Sequence, residues 1–229
     1  MNSQGLAKTA GTTKFRVIPR WPTHKLSLRE IVRFGFPNKS QSLDVNWWRL
    51  KNLPNLLRGL IPLMIVRLCG FSHQYGQLFL VKISGDGLQT PYGLASLLVV
   101  TTAGVNFIAA RMSNVSPSDI SLFNFHGLGT GTNAEAVGDT ALQTELTTQY
   151  NPNNTRATGT QSTPGSSNIY RTVGTNTVDA AAAVTEHGIL TQSATGGGTL
   201  LDRSVFSVIN LANGDSLQST YDFTISSGG

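Results

Sequence analysis

The segment Phe123–Leu146, FNFHGLGTGTNAEAVGDTALQTEL, sets glycine at positions 127, 129 and 131 behind an apolar run. Backbone amides left open by glycine can wrap an anion, so the first chemistry to weigh is phosphate binding. The spacing departs from both familiar cradles. A dinucleotide loop needs G-x-G-x-x-G, and Thr132 stands where the third glycine belongs; a P-loop needs Gly-Lys followed by Ser or Thr, and no lysine follows Lys82. Such loops also open helices in alternating strand–helix units, whereas strand-like segments follow here. The three glycines are expected to form a turn between a strand and a surface segment.

Histidines are the next candidates. His126 and His187 each precede a glycine, in FHGLG and TEHGIL, and Glu186 adjoins His187. Alternation along a strand would send Glu186 and His187 to opposite faces, a poor arrangement for an acid–base pair. No G-x-S-x-G elbow is present to supply a nucleophile. The acids Asp139, Glu145, Asp179, Asp202 and Asp215 occur singly, and Asn213-Gly214-Asp215 reads as a hairpin turn before it reads as a calcium loop. Cys69 is the one cysteine, which rules out an intramolecular disulfide and a cysteine-built metal site. No catalytic, cofactor-binding or metal-binding residue is assigned, no cofactor is implied, and no enzymatic activity is expected.

The elements that must carry these residues are mostly strands. Gln77–Ile83 runs into Ser84-Gly85-Asp86-Gly87, a hairpin signal, and Leu94–Thr102 is a β-branched run suited to a buried strand. Ala103–Met112 predicts a short helix with Val105, Ile108 and Met112 on one face. Strands are then expected at Ser121–His126, Arg156–Gln161, Asn168–Val178, Ala181–Gln192, Gly198–Val208 and Ser216–Ser226, with Gly196-Gly197-Gly198 as a loop tip or bulge. Strand signals about ten residues apart, separated by Gly, Asn and Asp, are the pattern of a sandwich or barrel. In Ser216–Ser226 the residues Leu217, Ser219, Tyr221, Phe223 and Ile225 share one face against Gln218, Thr220, Asp222 and Thr224, predicting a half-buried antiparallel strand.

Ahead of this lies a basic region. Residues 1–80 carry 12 Lys and Arg against Glu30 and Asp44, while residues 81–229 carry 5 against 10 acids. The basic side would suit nucleic acid, an anionic surface or an acidic protein. Within residues 1 to about 45, Pro19, Pro22 and Pro37 leave Leu26–Phe34 as the one helix expected in an otherwise extended arm. Val45–Phe71 mixes Trp47, Trp48 and Leu50 with Arg49, Lys51, Arg58 and Arg67, and Pro54 is expected to break or kink any helix there. That segment reads as a packing or docking element, with membrane-surface or nucleic-acid contact as alternatives. Leu60–Phe71 contains Pro62 and Arg67 and is about a dozen residues long, short of the roughly 20 needed to span a bilayer. The N-terminus lacks the apolar stretch of a secretory signal, so that export route is not expected.

The run from FHGLGTGTNAEAVGDTALQTEL through YNPNNTRATGTQ to NIYRTVGTNTVDAAAAVTEHGILTQSATGGGTLLDRSVFSVINLANGDSLQSTYDFTISSGG resembles small proteins of tailed-bacteriophage and prophage genomes. The resemblance covers about Gly76 to Gly229 and implies a virion structural protein of the capsid-decoration (cement) or tail-associated kind. The expected architecture is mainly β, an antiparallel, jelly-roll-like β-sandwich over residues 76–229 behind a basic, partly helical or extended arm over residues 1–75. The resemblance implies the major capsid protein or tail proteins of a phage particle as partners, assembly in the host cytoplasm into the virion, and a homo-oligomer, a trimer by analogy. A receptor- or glycan-binding tail module and nucleic-acid binding through the basic arm are the alternatives.

Overall fold

The structure, a computed structural model, describes residues 21–22, 24, 26–69, 73–113, 119–165 and 168–226. The expected helix of the arm is α1, Leu28–Gly35, fixed at its start by reciprocal hydrogen bonds between the Ser27 hydroxyl and the Glu30 amide and between the Glu30 carboxylate and the Ser27 amide. It is followed by α2, Leu43–Leu68. The anticipated break at Pro54 does not occur: α2 runs through both Pro54 and Pro62. Each proline deletes one intrahelical hydrogen bond, and both proline rings lie on the exposed side of α2. The helix is held instead by its other side, which buries Val45, Trp48, Leu56, Leu60 and Leu63.

Among the described residues ten strands follow: β1 His73–Ile83, β2 Gln89–Val100, β3 Phe125–Gly129, β4 Tyr150–Asn151, β5 Ala157–Thr158, β6 Thr160–Ser162, β7 Ile169–Val178, β8 Ala182–Leu190, β9 Leu200–Leu211 and β10 Ser216–Ser226. All pairings are antiparallel. One sheet runs β4-β7-β10-β1-β2, with β6 also on β7, and the other runs β9-β8-β3-β5. The last two residues of β2 pair with β9 and so link the two sheets. Tight turns close the hairpins where expected: Gly87 (φ 84°) follows β1, and Gly214 (φ 84°) joins β9 to β10.

Two apolar layers result. Leu78, Leu80, Leu128, Val184, Ile189, Phe206, Ile209, Leu217 and Tyr221 fill the space between the sheets. On the opposite face of β1 and β2, Leu26, Ile31, Leu56, Leu60 and Leu63 pack on Tyr75, Phe79, Leu94 and Leu97, and Trp21 stacks on Phe79 with ring centroids 4.9 Å apart. The alternation of β1 serves both, sending Leu78 and Leu80 one way and Tyr75 and Phe79 the other.

This second layer corrects the half-buried reading of β10. Thr220, Asp222 and Thr224 are buried as well, because the strand is central in its sheet and its second face is covered. Asp222 is held by a bidentate pair with Arg171 (2.6 and 2.7 Å), whose guanidinium also donates to the Pro22 carbonyl. Three other expectations also shift. Ser121–His126 is not one strand: a 3-10 turn over Ile120–Leu122, capped by the Asp119 side chain, precedes β3. Arg156–Gln161 divides into β5 and β6 at Gly159. The helix α3, Thr102–Met112, exists, but Val105 and Met112 are exposed; its packing side is Gly104, Phe107 and Ile108, since Gly104 lies directly on Leu201.

Gly59 marks the closest approach of α2 to the sheet, where an added methyl would overlap the Leu97 carbonyl. In an open helix Gly→Ala stabilises by about 1 kcal/mol. Here Gly59→Ala is expected to reverse the sign and lose roughly 1–3 kcal/mol through overpacking. Urea unfolding measures this, and a net gain in stability would refute the close contact.

Candidate functional site

The glycine segment that resembles an anion cradle does hold an anion, and the anion belongs to the chain itself. Gly127 and Gly129 are buried residues of β3, not turn residues, which corrects the expected turn. Their lack of side chains lets the 142–145 segment and the Glu186 carboxylate close on the strand. A Cβ on Gly129 would lie 2.5 Å from the Thr144 carbonyl, and one on Gly131 2.6 Å from Glu186 Oε1. Glu186 Oε1 accepts from the amides of Gly131 (3.0 Å) and Thr144 (2.7 Å). Oε2 accepts from the Gln143 amide (3.0 Å) and from Arg203 Nε (2.8 Å). Arg203 extends the network to Asp139 (3.1 Å) and the Asn133 carbonyl (3.2 Å). Glu186 and Arg203 are both buried, and between them they clamp the long 130–149 segment onto the second sheet.

A second clamp lies nearby. Arg156 makes a bidentate pair with Glu145 and donates to the carbonyls of Gln192 and Gly197, while Glu145 accepts the Gly196 amide. The triple-glycine loop is thereby tied down, with positive φ at Gly196 and Gly198. Asp215 of the Asn213-Gly214-Asp215 turn plays the same part, accepting the Ala212 and Gly85 amides and pairing with Lys82 at 2.7 Å.

Across the sheet from Glu186 lies a buried histidine pair. His187 does face away from Glu186, as strand alternation requires, and its Nε2 lies 3.0 Å from His126 Nδ1, while His126 Nε2 lies 3.0 Å from the Thr172 hydroxyl. Both rings are fully buried. Burial pushes His126 down to about 3, and burial, with the repulsion that two protonated rings side by side would meet, holds His187 well below the ordinary histidine range, so both rings are neutral at physiological pH. Gly159 and Gly174 lie flat against His126; a Cβ on either would come within 2.6 Å of its ring. On β9, Asp202 is opposite Ile189 and two residues from Ser204, the register partner of His187. Its carboxyl is pushed well up by burial and accepts from Tyr221 Oη at 3.2 Å.

These groups form the polar interior of the sandwich. The neutral rings are closed off by glycine backbone, and no three His, Cys, Asp or Glu side chains among the described residues gather as a metal site. Comparison with models of protein families, with curated proteins and with solved structures returned no match for the chain. One open cleft of about 490 Å³ lies between α3, the 3-10 turn and β10, lined by Ile108, Phe123, Tyr170, Leu201 and Phe223 with Gln161 at its edge. No acid, lysine, arginine or histidine is among the described residues that line it.

The cations weighed for nucleic-acid contact are largely engaged within the fold. Arg49 is buried and donates to the Tyr92 and Phe36 carbonyls; Arg67 donates to the Leu26 carbonyl and Tyr75 Oη; Arg58 pairs with Glu135 at 3.3 Å; Lys51 lies over the Trp47 ring. The basic residues before position 21 lie outside the described residues. No helix among the described residues is long and apolar enough to cross a membrane.

Sequence reading missed the Glu186–Arg203 clamp and the Asp202–Tyr221 contact. The signal available was a lone Glu in VTEHGIL and a lone Asp-Arg in LLDRSVF, charges embedded in otherwise apolar strands.

Proposed function

We propose that the chain is a structural subunit of a tailed-bacteriophage particle, a capsid-decoration protein that binds the major capsid protein through surface contacts and is assembled in the host cytoplasm. The reading rests on the resemblance of residues 76–229 to phage and prophage proteins. The supporting observation is the Glu186 cradle. The one motif with the look of an enzyme loop is closed by the chain's own carboxylate and guanidinium, so its amides serve to clamp a long surface segment. A shell subunit needs that kind of rigidity, since an outer segment pinned by buried charge presents one fixed surface to its partner.

Quantitative mass spectrometry of purified particles tests the proposal by counting this chain against the major capsid protein. Hundreds of copies per particle are expected. A handful would move the chain to the tail, and its absence from particles would end the reading.

A further inference from the structure

Helix α2 is apolar on two sides. Its inner side packs on the sheets, yet Leu43, Trp47, Leu50, Ile61, Met64 and Leu68 stand on the outer side, with Pro54 and Leu57 in the two positions between. The spacings are 4, 3, 4, 3, 4, 3 and 4, a heptad register across all 26 residues of the helix, about 39 Å at 1.5 Å per residue, in which the exposed apolar side chains form two groups at the helix ends, since Leu57 between them is half-buried against the inner layer. Asp44, Lys51 and Arg58 recur every seven residues along one edge, where a coiled-coil seam carries its charged rim.

We infer that this outer face of α2 is a self-association surface, on which the same face of a second copy of the chain packs. The six named side chains and Ile65 beside them are between 38% and 87% exposed. A fully buried aliphatic side chain removes on the order of 100 Å² of apolar surface from water, and an aromatic one about 200 Å². Scaled by exposure, the stripe offers roughly 500 Å² per copy, so two copies bury at most about 1,000 Å², the lower bound of a specific interface. A stripe this narrow, flanked by charges of both signs, matches another helix bearing the same stripe. Residues 1–20 are a poor match for it, since their large apolar side chains are only Met1, Leu6, Phe15, Val17 and Ile18. The inference stands on α2 alone and holds whether or not the chain is a particle subunit.

Sedimentation of the full chain from about 1 to 100 μM tests it. The native chain is expected to form a discrete oligomer. The double substitution Leu50→Glu with Ile61→Glu should weaken association at least about 100-fold, with an unchanged far-ultraviolet circular dichroism spectrum. If that variant does not fold, Leu43→Glu with Leu68→Glu gives the same readout from the two ends of the stripe, where both side chains are mostly exposed. A native chain that stays monomeric throughout overturns the inference. So does a monomer that floats with anionic lipid vesicles, which makes lipid the occupant, or one that oligomerises only after deletion of residues 1–20. An oligomer that survives the glutamate substitutions also overturns it.

Discussion

Glu186→Ala lowers the melting temperature by roughly 6–20 °C. Removing one partner from a buried ion pair costs about 3–5 kcal/mol, and each kcal/mol shifts a chain of this size by about 2–4 °C. The substitution leaves Arg203 buried with Asp139 as its acid partner among the described residues, and it strands the amides of Gly131, Gln143 and Thr144. Most of the loss comes from these orphaned donors, since an unmade buried hydrogen bond costs more than a made one contributes. Glu186→Gln keeps an acceptor for two of the amides and should fall between the native chain and the alanine variant. Hydrogen exchange separates the local effect from the global one: amides 131–144 should lose protection under conditions where β10 keeps it. A melting temperature within about 2 °C of the native value in Glu186→Ala would show that the clamp is ornamental.

Acid sensitivity is set by the interior of the sandwich. The unfolded histidines titrate near 6.5, whereas folded His126 lies at about 3 and His187 well below its ordinary range. Below pH 6.5 the unfolded chain therefore takes up protons that the folded chain refuses, and stability falls as pH falls, by about 1.4 kcal/mol per pH unit for each ring. Asp202 works in the opposite direction. Its folded carboxyl keeps its proton well above the unfolded value near 3.9, so its contribution is present at low pH and is lost as pH rises.

Between about pH 4.5 and 6 the two rings act against Asp202 and against Asp222, whose carboxyl burial also raises despite its pair with Arg171. Asp202→Asn should steepen the acid loss, by at most about 1.4 kcal/mol per pH unit, and His126→Gln with His187→Gln should flatten it, by at most about 2.7. Urea unfolding at several pH values gives these slopes, which are compared with the native slope whatever the absolute stability of each variant. Unchanged slopes in both variants would mean that these groups titrate alike folded and unfolded.

What could be read from the sequence lies within single elements. The period-two alternation of Ser216–Ser226 located β10 to the residue, the apolar runs located β7 and β8 to within two residues, and the Gly87 and Gly214 turns closed the hairpins expected of them. Side-chain alternation also placed Glu186 and His187 on opposite faces. These features follow from backbone geometry over a few neighbouring residues, so no knowledge of the partner strand is needed.

The candidate site depended on which strands became neighbours. His126 and His187 are 61 residues apart and meet because β3 pairs with β8; Glu186 reaches Arg203 because β8 pairs with β9. A register slip of one residue would send each of these side chains to the other face, and local composition does not encode the register between distant strands. The same holds for α2, where two prolines argued for a break. Burial of Trp48, Leu56 and Leu60 on a sheet built from residues far along the chain outweighed the local preference. The sequence by itself determined the antiparallel strands and their turns. Tertiary packing alone decided that the glycines of β3 close around the chain's own carboxylate, that β10 is covered on both faces, and that α2 is left with an apolar stripe turned outward.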